Sequence, residues 1–213
     1  MKGKYHEQKI FRQNQGKSYW AVFSRYQRER SREQIQRFKN DSLHVDARSQ
    51  EKAEVRSGGH DCVILDLYAR KVVAHRISLS NSTQLTKRTF KLAYESRQPK
   101  DNLLFHSDQG SNYTSRTFMT YLKQLNVQQS FSRKGTPYDN SVCESFFANM
   151  KREELYRRNY KTETEFFNGV HNYIAFYNSE RPHSLLRYQT PDKYEEMYYF
   201  YNPNRTCVVQ EEQ

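Results

Sequence analysis

A chain of 213 residues with a formal net charge of +11 and a pI near 9.5 has room for one domain and a further segment, and its surplus of Lys and Arg selects a polyanionic partner, nucleic acid before any other. Hydrophobic residues make up 35% of the chain, and 17 Tyr and 13 Phe supply much of that share, so a core is possible but modest. No apolar run approaches the ~18 residues of a membrane span, no apolar leader marks a signal peptide, and Cys62, Cys143 and Cys207 form no C-x-x-C pair. Neither a zinc knuckle nor a disulfide framework is thereby supported, and a reducing cytoplasm is the expected compartment.

Residues 1–60 hold 14 Lys plus Arg against 7 Asp plus Glu, a charge of +7, which leaves only +4 for the other 153 residues. The stretch SRYQRERSREQIQR from Ser24 to Arg37 is almost wholly polar and offers no apolar stripe to bury. By composition residues 1–60 read as a basic, poorly ordered segment, with a DNA-binding arm as the alternative. From Asp61 the pattern changes. CVILDL (Cys62–Leu67) is a strand-type apolar run, Tyr68-Ala69-Arg70 a turn, and KVVAHRISL (Lys71–Leu79) an alternating, β-branched partner strand, so the three form a hairpin. Asn81 or Ser82 can cap a helix over Thr83–Arg97, with Leu85, Phe90, Leu92 and Ala93 apolar and Pro99 as its stop. NLLFH (Asn102–His106) is a third strand, followed by the turn-rich SDQGSN. A helix over about 115–125 with Phe118, Tyr121 and Leu122 on one face precedes a fourth strand, Val127–Phe131. After the polar loop SRKGTPYDN, helices are expected over 141–156 and 162–178. Strands alternating with helices indicate an α/β layer fold, with the core over 61–198 and a tail over 199–213.

Two carboxylates stand out. Asp108 lies just past the third strand and Glu144 in the first turn of the long helix, with 35 residues between them. The intervening helix and strand can return the chain so that the two acids meet. A carboxylate pair of this kind holds Mg²⁺ or Mn²⁺, which prefer oxygen ligands, and a two-metal centre activates an attacking oxygen while stabilising the leaving one. Each acid also has a plain structural reading. Asp108 suits a turn beside Gly110, and Ser141 with Glu144 spells the S-x-x-E capping box.

Four stretches, DLYARKVVAH from Asp66, FHSDQGSNY around Asp108, SRKGTPYDNSVCESFFANMKRE around Glu144 and YNSERPHSLLRYQTP near the end, together resemble the insertion-element transposases with a retroviral-integrase-type core. The resemblance covers about residues 61–195. It implies a ribonuclease-H-like fold, a mixed sheet flanked by helices, and a metal-binding triad of two Asp and one Glu, with Asp108 as the second acid and Glu144 as the third. It also implies the activity, divalent-metal-dependent DNA strand cleavage and transfer, and the partners: DNA at the element's ends and at the target, and further copies of the chain or a full-length transposase. A non-catalytic DNA-binding protein, or a remnant that poisons intact transposase, is the alternative.

The family's first Asp lies on the first strand in a segment resembling W-x-x-D-x-T. Here Trp20 is followed by AVFSRY, with no Asp. Asp46 stands 20 residues before Asp66, near the implied spacing, but in surroundings unlike a strand. KYHEQKIF (Lys4–Phe11) faintly resembles the linker before the core, and residues 12–60 resemble nothing in the family, as compensating frameshifts would leave them. The first strand is therefore expected to be missing or irregular, with an exposed edge beside Cys62–Leu67 that invites aggregation and with weak or absent strand transfer. Asp66 reads as a hairpin-end residue. Lys151, seven residues after Glu144, shares its helix face and is a candidate phosphate contact, with Arg152 beside it. His106, two residues before Asp108, can reach a scissile phosphate. Arg181 and His183, in the ERPH motif, can bind DNA or terminate the last helix.

Overall fold

The computed structural model describes residues 19–26, 59–99, 103–133 and 140–202. Five strands, β1 (Tyr19–Tyr26), β2 (His60–Asp66), β3 (Val72–Ser78), β4 (Leu104–Ser107) and β5 (Gln128–Phe131), form one sheet in the order β3-β2-β1-β4-β5. The helices are α1 (Thr83–Arg97), α2 (Ser111–Thr114), α3 (Arg116–Gln124), α4 (Ser141–Met150), which runs on into a wider turn over Lys151–Leu155, α5 (Glu163–Ser179) and α6 (Pro191–Tyr201). Among the described residues no helix is long and apolar enough to cross a membrane.

The first strand corrects the reading of the sequence. Tyr19–Tyr26 is a regular strand of 8 residues at the centre of the sheet. It runs antiparallel to β2 from Trp20↔Asp66 to Tyr26↔His60, and parallel to β4 from Tyr19↔Leu104 to Ala21↔His106. The edge expected to lie open beside Cys62–Leu67 is therefore filled. The physical reason lies in YWAVFSRY itself, since aromatic and β-branched residues favour strands whether or not an acid sits among them. The rest of the 1–58 segment, Asp46 included, lies outside the described residues.

β2 is buried on both faces and reads as an unbroken apolar run. Alternation sends its side chains to two cores. Cys62 and Ile64 join Leu85, Phe90, Ala93, Phe105, Phe118 and Leu122 under α1 and α3. Val63 and Leu65 join Cys143, Phe146, Phe147, Met150, Phe166, Val170 and Tyr173 under α4 and α5. In the first core the Phe90 ring meets Phe105 edge-on at 5.1 Å and Phe118 at 6.0 Å, an arrangement that adds to the burial itself. α1 is capped by Ser82, whose hydroxyl accepts from the Leu85 N–H at 3.2 Å. Its buried positions follow 85, 86, 89, 90 and 93, which turns Leu92 out to solvent. The last helix is clamped by charge: Lys71 reaches Asp192 at 2.8 Å and Glu195 at 2.7 Å, and Arg97 also pairs with Glu195. α6 continues to Tyr201, three residues past the boundary expected for the core.

Asp61 is fully buried at the start of β2, and neither carboxylate oxygen has a hydrogen-bond partner among the described residues. His75 Nδ1 stands 3.6 Å away, and the His75 ring lies edge-on to His171 at 4.4 Å. Burial raises the Asp61 pKa above its ordinary 3.8, with His75 opposing. A folded-state pKa raised in this sense means the native state holds the proton more tightly, so stability is greatest below about 4 and falls as pH climbs through the raised value.

Two outcomes follow for urea unfolding. Phe90→Ala, which empties the centre of the first core, costs about 3–5 kcal/mol. Asp61→Asn stabilises the fold at neutral pH by on the order of 1 kcal/mol, and the gain shrinks toward nothing as the pH is lowered to about 4.

Candidate active site

The two acids singled out by spacing come from different elements, Asp108 from the end of β4 and Glu144 from the first turn of α4. β4 ends at Ser107 and delivers Asp108 into the following turn, where one carboxylate oxygen accepts from the Gly110 N–H at 2.9 Å. This turn admits no Cβ at Gly110, because such an atom would lie 2.9 Å from that same oxygen. The plain reading of Asp108 as a turn residue is thus realised. Its other oxygen makes no hydrogen bond within the described residues.

The plain reading of Glu144 is not realised. Asn140, not Ser141, is the N-cap of α4, and no side chain caps that end. The S-x-x-E box therefore does not form, and Glu144 is exposed in the first turn with no ion pair among the described residues. Cys143, the residue before Glu144, is fully buried. Its thiol is pushed up to about 12, first by burial and then by the negative charges of Asp108 and Glu144, with Arg70 acting the other way.

A two-metal centre needs a further carboxylate to bridge its ions. Among the described residues no three His, Cys, Asp or Glu side chains come together in a way that could hold a metal ion. β1 runs between the strand that leads to Asp108 and the hairpin, and α4 packs against it, yet YWAVFSRY contains no acid. Among the described residues the donor set falls short of the triad that the sequence resemblance implies.

An integrase core domain model matches residues 52–137, and a second one residues 125–191, so that together they span about two thirds of the chain. The chain belongs to the integrase core domain family. Over 134 residues it is 37% identical to a transposase for insertion sequence element IS904 from Lactococcus lactis, covering 62% of this chain and 53% of that one. Over 136 residues it is 32% identical to a putative transposase InsK for element IS150 from Escherichia coli, covering 64% and 48%. The chain spans about half the length of these curated relatives. Its structure is similar to the HTLV-2 integrase catalytic core in complex with magnesium, with a TM-score of 0.55 at 11% identity over 82% of this chain and 93% of that one. The fold is the ribonuclease-H-like fold.

The remaining candidates of the integrase core are held as follows. His106 is half-buried, and its two ring nitrogens each lie 3.1 Å from a hydroxyl, Nδ1 from Ser130 and Nε2 from Ser132, so the ring ties β4 to β5. Lys151 opens the wide turn that ends α4, where its carbonyl accepts from the Tyr156 N–H at 2.8 Å. A turn of this width inside a helix recurs at functional sites. Arg152 is exposed and donates to Asn149 at 2.6 Å. Arg181 is engaged in a two-pronged pair with Glu153, Nε and Nη2 each 2.7 Å from a carboxylate oxygen, and the Tyr173 hydroxyl donates to the same carboxylate at 3.1 Å. His183 packs edge-on against Tyr177 at 4.6 Å. Burial, reinforced by the charge of Arg181, lowers its pKa to about 4, so it is neutral at pH 7.

Glu153 escaped the reading of the sequence. Its partner lies 28 residues away, and no local pattern links the two. Asp66, by contrast, is the hairpin residue it was read to be, accepting from the Tyr68 and Ala69 N–H groups at 2.8 Å each.

Glu153→Gln removes the charge that Arg181 grips. The Arg181 hydrogen bonds lower the Glu153 pKa below its ordinary value of 4.5, so this stabilisation is present above that value and is lost as pH falls through the depressed one. Glu153→Gln is expected to cost about 1–3 kcal/mol at pH 7. In urea titrations repeated at falling pH, the difference from the parent chain closes in the acid range.

Proposed function

We propose that this chain is the DNA-handling core of an insertion-element transposase, built for DNA strand cleavage and transfer, with two of the three acids of its reaction centre among the described residues. The observation that supports this reading is the match of two integrase core domain models over residues 52–137 and 125–191, with Asp108 just past β4, Glu144 in the first turn of α4 and no group of three metal-ligating side chains among the described residues. Its DNA is the element's ends and the target, and its place is the cytoplasm. It works as a homo-oligomer or beside a full-length transposase. The magnesium complex of the HTLV-2 integrase core, in its trimeric form, supports both the ion and the assembly.

The chemistry available to the residues present is limited. Two carboxylates can hold one Mg²⁺ or Mn²⁺ that keeps most of its waters. A pair of ions set around a phosphodiester needs a bridging ligand, which the described residues do not supply. What the chain retains is a basic surface. The net charge of +11 is the footprint of phosphate binding. Lys151, on the Glu144 face, and the exposed Arg152 are the nearest cations to the acids along that helix. Arg181 and His183 serve the site indirectly, the first by holding Glu153 and the second by packing against Tyr177.

The test is binding to a DNA duplex by fluorescence anisotropy across a salt series. The affinity is expected to fall about a hundredfold between roughly 50 and roughly 200 mM salt, as for about four phosphate contacts. Asp108→Ala and Glu144→Ala leave this dependence in place, whereas Lys151→Ala and Arg152→Ala each reduce the salt slope by about one. Efficient Mg²⁺-dependent strand joining that Asp108→Ala abolishes would overturn the incomplete-centre reading. Binding indifferent to salt would overturn the DNA reading.

A further inference from the structure

The basic excess is not shared evenly by the helices on the two faces of the sheet. α1 and α3, over one face, hold Lys87, Arg88, Lys91, Arg97, Arg116 and Lys123 against a single acid, Glu95. α4 with its wide turn and α5, over the other face, hold Lys151 and Arg152 against five Glu. Two of the six cations are engaged: Arg97 pairs with Glu195, and Lys91 stands 3.5 Å from Glu95. No ion pair among the described residues takes up Lys87, Arg88, Arg116 or Lys123. A groove of about 380 Å³ opens between these helices, lined by Lys87 from α1 and by Arg116, Thr117, Thr120, Tyr121 and Gln124 from α3. Lys87 Nζ stands 4.5 Å from the centre of the Tyr121 ring, a contact that orients the ammonium without neutralising it. Tyr121 is in turn set by the first core, where the Phe90 ring meets it edge-on at 6.1 Å. The lining consists of an ammonium, a guanidinium, two threonine hydroxyls, a phenol and a carboxamide, with no carboxylate among them. These are the groups that hold the phosphate oxygens of a nucleic-acid backbone.

We infer that the groove between α1 and α3 is a second phosphodiester site, which holds a DNA duplex by its backbone on the face of the sheet opposite α4 and Glu144. The inference rests on the reading of the chain as a DNA-handling core and extends that reading to a second duplex. Lys151 and Arg152 belong to the α4 side, and a short duplex, stiff over about 150 base pairs, does not reach both sides of one domain. A second copy of this chain is a poor occupant through the same face, because its own cations would meet these. Contacts to the backbone position a duplex without reading its sequence. The groove therefore contributes affinity and orientation, not the choice of site.

The experiment is lysine footprinting of the full chain, in which acetylation is followed by mass spectrometry with and without a short DNA duplex. At a duplex concentration about ten times the Kd, acetylation of Lys87 is expected to slow about tenfold, as occupancy of its site dictates. Lys193, exposed on α6, keeps its rate and serves as the control. Protection of Lys87 persists when Lys151→Ala and Arg152→Ala together remove the contacts on the α4 side. Arg116 is exposed, so Arg116→Ala leaves the fold intact and lowers the salt slope of the protection by about one. A Lys87 rate that duplex leaves unchanged, in a chain that binds DNA with salt dependence, overturns the groove and leaves the proposed function standing. Loss of the protection in the Lys151→Ala, Arg152→Ala chain also overturns it, since both contacts would then belong to one duplex. So does equal protection of Lys193. Protection that follows protein concentration without DNA assigns the face to a second copy, and protection by millimolar inorganic phosphate alone assigns it to a free anion; either result sinks the duplex site. Absence of all salt-dependent DNA binding removes the groove and the proposed function together.

Discussion

Remove β1 and the sheet falls into two pieces with no hydrogen-bonded ladder between them, the β2–β3 hairpin and the β4–β5 pair. Side-chain packing in the first core, where Cys62 and Ile64 share a cluster with Phe105, also links those pieces, but packing alone does not fix a register. β1 joins them by hydrogen bonding on both sides at once, antiparallel to β2 and parallel to β4. The parallel side is the demanding one, because a parallel pairing has no tight turn to set its register and relies on segments distant in sequence. Once it forms, the position of β4 relative to the hairpin is settled, and with it the end of β4 from which Asp108 emerges. The two cores then close on either face, with α1 and α3 over Cys62 and Ile64, and α4 and α5 over Val63 and Leu65.

The same arrangement explains why the site is a matter of backbone placement and not of side-chain invention. Asp108 is held by its own turn through Gly110, and Glu144 projects from a helix end with no structural partner of its own among the described residues. The charged residues that do hold the fold together lie elsewhere. Glu153 grips Arg181 behind the wide turn after α4, and Glu195 gathers Lys71 and Arg97 beneath α6. This division separates the structural ion pairs from the two carboxylates that the proposed function draws on.

Much of the fold was legible in local pattern. The β2–β3 hairpin, α1 with its Ser82 cap, the short β4 and β5, and the long α4 and α5 all follow from alternation, helical spacing and turn residues, and the structure shows each within a few positions. The 35-residue gap between Asp108 and Glu144 was legible too, and with it the family. Three features were not. Leu92 reads as part of the apolar stripe of α1, but it is 41% exposed, because the sheet covers only the face that runs through Leu85, Thr89 and Ala93. Ser141 and Glu144 spell a capping box, but Asn140 begins the helix one residue earlier. The largest omission was β1, a short run set in polar flanks whose partners lie tens of residues away.

By itself, then, the sequence determined which acids the chain still owns, how far apart along the chain they sit, and which family arranges residues in that order, because these properties are carried by residue identity and local spacing. Only the tertiary structure decided that Tyr19–Tyr26 enters the centre of the sheet, between the hairpin and β4. The reason is that strand register is set by pairing and by burial on two faces at once, and neither condition exists until distant segments of the chain have met.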